Sequence, residues 1–196
     1  MKKTFEILIS YLLIITLMSC EKKEITVNYY PTEDIVNDTS SVVFDLDSLK
    51  MNFKEFDTIL YELEEKKKQT IIEIIDDNIL KKIKIISIGD GTIYNKNILS
   101  IENDSIVKEK NYPLSELKVI MKKHYFYYGK DENYSDSPDK ALVIIYFNED
   151  QKITDLKKYL ILITRAFDEL NNNQLMLHIL ISGIVPPPPP LTPPLN

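Results

Sequence analysis

Residues 141–147 read ALVIIYF, a nearly unbroken apolar run closed by Asn148-Glu149-Asp150. A strand with one wet face alternates apolar and polar residues, so a run without alternation marks a strand covered on both faces. The period then changes. Across 153–170, Leu156, Leu160, Ile163, Phe167 and Leu170 recur at helical spacing, which predicts a long helix with one buried face. Residues 174–182 predict a last strand.

The same alternation extends toward the N-terminus. Pro113-Leu114-Ser115-Glu116-Leu117 opens a helix with Leu114, Leu117, Ile120, Met121 and Tyr125 as its buried stripe, followed by a charged loop at 129–140. Residues 83–88 predict a strand, Gly89-Asp90-Gly91 a tight turn, and Thr92-Ile93-Tyr94 the return strand of a hairpin, with a polar excursion through Asn103 and Asp104. Earlier still, 42–46 predict a short strand. A helix then carries Phe53, Phe56, Ile59, Leu60 and Leu63 and ends in Lys66-Lys67-Lys68, and a β-branched strand at 70–75 stops at Asp76-Asp77-Asn78. The helix at Phe53 aligns with that at Leu114 at an offset of 61, which suggests a repeated strand–helix–strand element. The expected fold class is α/β (α+β): a small mixed sheet with two or three helices packed on it.

Composition narrows the function. The 196 residues carry 24 Lys+Arg against 30 Asp+Glu, a net charge of −6, and Arg165 is the only arginine. Acidic balance and the near absence of arginine disfavour nucleic-acid binding. Four glycines form no complete phosphate-binding loop, and two histidines with one cysteine are too few for a His/Cys metal cage. No cofactor and no metal are expected.

The N-terminus reads MKKTFEILISYLLIITLMSC. Lys2 and Lys3 precede an apolar run of twelve, residues 7–18, which is the pattern of an export signal and shorter than the roughly 20 residues that cross a bilayer. Leu17-Met18-Ser19-Cys20 resembles the bacterial lipobox, in which the cysteine is diacylated and becomes the mature N-terminus. Processing at Cys20 removes two lysines and Glu6 and leaves 22 basic against 29 acidic residues. The expected organisation is a signal peptide at 1–19, a flexible tether at 20–41, an α/β domain at 42–182 and a proline-rich tail at 183–196. Within the domain, 42–78 form a first strand–helix–strand unit and 83–182 a second.

The second unit resembles the periplasmic domain of the ExbD/TolR family of biopolymer-transport proteins. The likeness rests on Ile86-Ser87-Ile88-Gly89-Asp90-Gly91-Thr92-Ile93-Tyr94 with Asn97 behind, on the Pro113 helix opening, on the strand Val143-Ile144-Ile145-Tyr146-Phe147, and on Thr164-Arg165-Ala166-Phe167-Asp168-Glu169-Leu170. It covers about half the chain. The resemblance implies two helices packed on one sheet, often paired as a homodimer. In that family a membrane helix carries an aspartate used in proton flow. Residues 7–19 here hold no acidic residue, so no motor role carries over.

Seven of the ten prolines lie in the tail, with Pro186, Pro187, Pro188, Pro189 and Pro190 consecutive. Such a run adopts polyproline II and either spans space or docks in an aromatic groove of a partner. Tyr125, Tyr127 and Tyr128 either rim a partner interface or pack beneath the charged loop. His124 and His178 have no acid at a recognisable spacing and read as structural. Asp131, Glu132, Asp136 and Asp139 lack the glycine and closing glutamate of a calcium loop. The expected protein is a lipid-anchored component of the bacterial cell envelope, facing the periplasm and binding another envelope protein without catalysis. The alternatives are a single-span membrane-anchored transporter subunit of the same family, and a secreted hydrolase using the 131–139 carboxylates.

Overall fold

The computed structural model describes residues 24–87, 93–127, 130–148 and 151–183. The lipobox with Cys20, the Gly89-Asp90-Gly91 turn, Tyr128 and the five consecutive prolines lie outside the described residues. The strands are β1 Thr26–Tyr30, β2 Ser41–Asp45, β3 Gln69–Asp76, β4 Ile79–Ile85, β5 Ile98–Glu102, β6 Ser105–Val107, β7 Asn111–Pro113, β8 Leu142–Tyr146 and β9 Ile179–Ser182. The helices are α1 Glu33–Val36, α2 Phe53–Glu65, α3 Leu117–Phe126 and α4 Ile153–Asp168. The fold is thus mixed α/β, as expected, with a sheet of nine strands.

Sheet order is β2-β3-β4-β9-β8-β5-β6-β7, with β1 also alongside β4. Three pairs of parallel neighbours, β2 with β3, β5 with β8 and β8 with β9, have one of α2, α3 and α4 in their connections. These helices share one core with alternate residues of the strands: Phe53 and Phe56 from α2, Ile120 and Tyr125 from α3, Leu156 and Leu160 from α4, against Ile72, Ile83, Val143, Ile145 and Ile179. Leu142, Ile144 and Leu180 form a second cluster on the opposite face. β8 is therefore buried on both sides, which is why its sequence shows no alternation.

A local signal accounts for the start of α2. Asn52 caps α2 through a capping box, its side chain accepting from Glu55 N at 2.9 Å while Glu55 accepts from Asn52 N at 3.1 Å. Phe53 stacks on Phe147 with ring centroids 4.6 Å apart, which fixes α2 over the end of β8.

Four expectations are corrected. The stretch 20–41, expected to be a flexible tether, contains β1 and α1. Thr26-Val-Asn-Tyr-Tyr30 pairs in parallel with β4, and Tyr30 is buried with its hydroxyl bonded to Asp168. Tertiary hydrogen bonding orders a segment whose own composition has no sustained period. Second, Asp76-Asp77-Asn78 does not end a unit; Asp77, at φ 56°, turns β3 directly into its antiparallel partner β4. The two units therefore belong to one sheet. Third, 93–94 are not a return strand. The C-terminal end of β4 is occupied by β3 on one side and β9 on the other, where Ile86 N–H donates to Ile179 O at 2.9 Å. Fourth, the polar excursion around Asn103 is the tight turn of the β5–β6 hairpin, with Asn103 and Asp104 both at positive φ.

Candidate functional site

The most unusual chemistry lies where the β3–β4 turn meets the C-terminal end of α4. Lys81 occupies a core-facing position of β4, in register with Ile83 and Ile85, and is 1% exposed. Its Nζ lies 3.0 Å from Asp76 Oδ2 and 3.6 Å from Asp168 Oδ2, and donates to Thr164 Oγ1 at 2.9 Å. Thr164 passes its own proton to Leu160 O at 2.7 Å. Arg165 Nε donates to Asp76 Oδ2 at 2.9 Å, its Nη2 reaches both Asp76 and Asp77, and the Tyr30 hydroxyl donates to Asp168 at 2.8 Å. The Arg165 hydrogen bonds hold the Asp76 carboxyl below its ordinary range against the opposing effect of burial, with Lys81 adding to the lowering. Burial, and then the Asp168 hydrogen bond, push the Tyr30 hydroxyl upward. Every charge here has an opposite partner, so the cluster holds charges in place instead of presenting one to a substrate.

A second polar centre lies under the 130–140 loop. His124 is fully buried and its Nε2 is 3.1 Å from Asn97 O. Burial first, and then the Lys108 charge, lower its pKa to about 3, so the ring is neutral. Asn97 Oδ1 accepts from Asp136 N at 2.9 Å and lies 3.0 Å from Ser135 Oγ, tying the loop to the domain. Lys108 Nζ donates to Lys96 O and Ile98 O at 2.9 and 2.8 Å and lies over the Tyr134 ring; burial lowers its pKa to about 8. It lines a cleft of 430 Å³ with Glu109, Glu132 and Tyr146. Asp136 and Asp139, two of the four loop carboxylates, are engaged locally. Asp136 is bound to Lys96, and Asp136 and Asp139 are both lowered by hydrogen bonds, whereas a general acid needs a raised pKa.

A groove of 710 Å³ lies at the C-terminal ends of β4 and β9, bounded by Leu60 and Tyr61 of α2 and by Lys84, Ile86 and Ser182. Crevices beyond the C-terminal ends of strands in open α/β sheets are common ligand sites. The rim mixes Asp57 and Glu64 with Lys67, Lys68 and Lys84, and Tyr61 is exposed. Gly183 closes it against α2, since a Cβ there would approach Asp57 Oδ2 to 2.7 Å.

Of the three tyrosines expected at an interface, Tyr125 is corrected. It is wholly buried, edge-on to Phe167, and its hydroxyl donates to Met176 O at 3.1 Å. Its position on the apolar stripe of α3 dictates this. Tyr127 is exposed and packs edge-on near Tyr134 under the loop. His178 is half-buried in the approach to β9, and its pKa is lowered by burial and then by Lys84. Asp76, Lys81, Asp168 and Lys108 were not identified from the sequence, although Lys81 could have been. In ILKKIKI it alternates with Ile79, Ile83 and Ile85 on one face, and a lysine in that register has to find buried partners.

Among the described residues no group of three or more His, Cys, Asp or Glu is placed to hold a metal ion. No described helix is long and apolar enough to cross a membrane. Compared with family models, curated proteins and solved structures, the chain matches none.

Proposed function

We propose that this chain is a lipid-anchored cell-envelope protein. Cys20 carries the lipid, and the α/β domain, built on an ExbD/TolR-like plan, acts as a non-catalytic binding or scaffold component of envelope transport on the periplasmic side. The observation that carries this reading is the Leu17-Met18-Ser19-Cys20 sequence standing directly ahead of a folded domain whose first strand begins at Thr26. Two features support a binding role over a catalytic one. The charges around Lys81 are mutually satisfied, and the groove beside α2 has a mixed-charge rim edged by Tyr61 and suited to a peptide segment of an envelope partner.

Diacylation anchors far more firmly than a single chain. The Cys20→Ala chain should therefore appear in the soluble envelope fraction while the natural chain remains with membranes, and the mass of the mature N-terminal peptide should include the acyl groups. Equal membrane retention of both chains, or a peptide that retains Met1, would refute the reading; the latter would leave a single-span anchor. Native-detergent crosslinking of the intact chain should recover an envelope protein.

A further inference from the structure

The chain enters its sheet beside a partly exposed apolar row, in which exposed Val27 and Ile75 flank the half-buried Leu80. Thr26 N–H donates to Asn78 O at 3.1 Å, so β1 joins the sheet at the β3–β4 turn. The next residue, Val27, is opposite Leu80, and Leu80 is opposite Ile75, making one row across β1, β4 and β3. Tyr30, Ile83 and Ile74 on these strands point into the helix-covered core, so by alternation the row points the other way. Val27 is 40% exposed, Ile75 46% and Ile25, just ahead of β1, 61%. Nearby charges already have partners: Lys82 Nζ lies 2.8 Å from Glu73, and Arg165 Nη2 lies 3.1 Å from Asp77 at the turn. The row itself carries no charge, so covering Val27, Leu80 and Ile75 takes no ionised side chain of its own out of water.

The covalent geometry limits what can cover it. Thr26 is six residues beyond Cys20, a reach of at most about 20 Å. A domain of this size has a radius of gyration of about 15 Å, so the leash is about half the molecule's width. Such a leash confines contact with a bilayer that holds Cys20 to the half of the domain around Thr26, and the row lies beside that residue. Three or four side chains are also a narrow patch for a stable dimer, which covers about 800 Å² per partner.

We propose that the row Val27, Leu80 and Ile75, with Ile25, rests in the headgroup–acyl boundary of the same bilayer that holds the Cys20 lipid, so that the domain is seated on the membrane and not merely tethered to it. This rests on the acylation reading above. The chain contains no tryptophan, so a single introduced one reports its own surroundings. Full-length Val27→Trp, Ile75→Trp and, on the outer side of α3, Val119→Trp chains are purified from membranes and reconstituted in phosphatidylethanolamine–phosphatidylglycerol vesicles with brominated acyl chains. Emission from the first two should be blue-shifted and lose about half its intensity to bromine, the depth expected of an apolar face at the boundary, while Val119→Trp loses little. Two reporters on different strands guard against a variant that fails to fold. If an acylated chain shows no bromine quenching at either position, the seat is refuted and the anchor stands. A blue shift without quenching that depends on protein density also refutes it, in favour of a second copy. An N-terminal peptide without acyl groups overturns both readings.

Discussion

Replacing Asp76 by Asn tests the buried cluster most directly, because it removes one charge with almost no change of volume. Asp76 is 5% exposed and receives Lys81 at 3.0 Å and Arg165 at 2.9 Å. Without its charge, Lys81 remains buried with only Asp168, at 3.6 Å, as counter-ion. Breaking a buried pair from one side costs about 3–5 kcal/mol, because an uncompensated charge is left behind. At about 2–4 °C per kcal/mol for a chain of this length, the thermal midpoint should fall by roughly 10 °C. Adding Lys81→Met removes the orphaned cation and should recover much of the loss. Arg165→Gln should cost far less than Asp76→Asn, because that side chain is half exposed and its ion pairs are screened by water. The acid side gives an independent check. A carboxyl with a folded pKa below its unfolded value of about 3.9 binds fewer protons folded than unfolded between those two values. Its stabilisation is complete above about pH 4 and is lost as pH falls through the lowered folded pKa, so Asp76→Asn should flatten that part of the profile. Urea melts followed by circular dichroism, from pH 7 to pH 3, measure both effects. A loss below about 1 kcal/mol at pH 7, or a double variant no more stable than Asp76→Asn alone, would refute the charge argument.

His124 makes a separate prediction at milder pH. Its folded pKa of about 3 lies below the unfolded value of 6.5, so the unfolded chain binds the extra proton between them. Stability should therefore fall by up to about 1.4 kcal/mol per pH unit below 6.5, and His124→Phe should reduce that slope in urea melts between pH 7 and pH 5. Asn52→Ala removes the capping box of α2 and should cost about 1 kcal/mol in the same melts, with Asn52→Asp near neutral.

Particular residues explain how far the sequence could be read. β8 and α4 were legible because their apolar patterns are long and each is set by local period alone; α4 runs over 153–168 against an expected 153–170. The Phe53 helix was equally legible from its apolar spacing. β1 was not legible, because only Tyr30 of its five residues is buried, with Asn28 and Tyr29 half-buried, and its order comes from pairing with β4 more than from its own composition. β6 and β7, at three residues each, are shorter than any reliable periodic signal. The turn at Asp77-Asn78 was seen as punctuation, but only the register of Asp76 opposite Ile79 shows that it joins two strands instead of ending a unit. In the candidate site, the lysine–carboxylate cluster brings together residues 30, 76, 81, 165 and 168, and no spacing rule connects positions that far apart.

The placement of those residues also explains why a charged cluster sits at this point in the sheet. β4 shares one edge between two parallel partners, β1 along Ile79–Ile83 and β9 at Ile85, and apolar contacts alone specify such an edge weakly because a slip of two residues keeps every side chain on its face. Lys81 removes that freedom. A two-residue slip of the β3–β4 hairpin would carry its ammonium away from Thr164 and Asp168 of α4 and strand a buried cation, whereas Ile83 or Ile85 in its place would tolerate the shift. Tyr30 extends the same constraint to β1, since its hydroxyl reaches the Asp168 carboxylate that also faces Lys81. We therefore read the cluster as a lock on register, not as a source of net stability. It acts on the strand that leaves the sheet toward Cys20, where any pull from a membrane anchor would enter the fold.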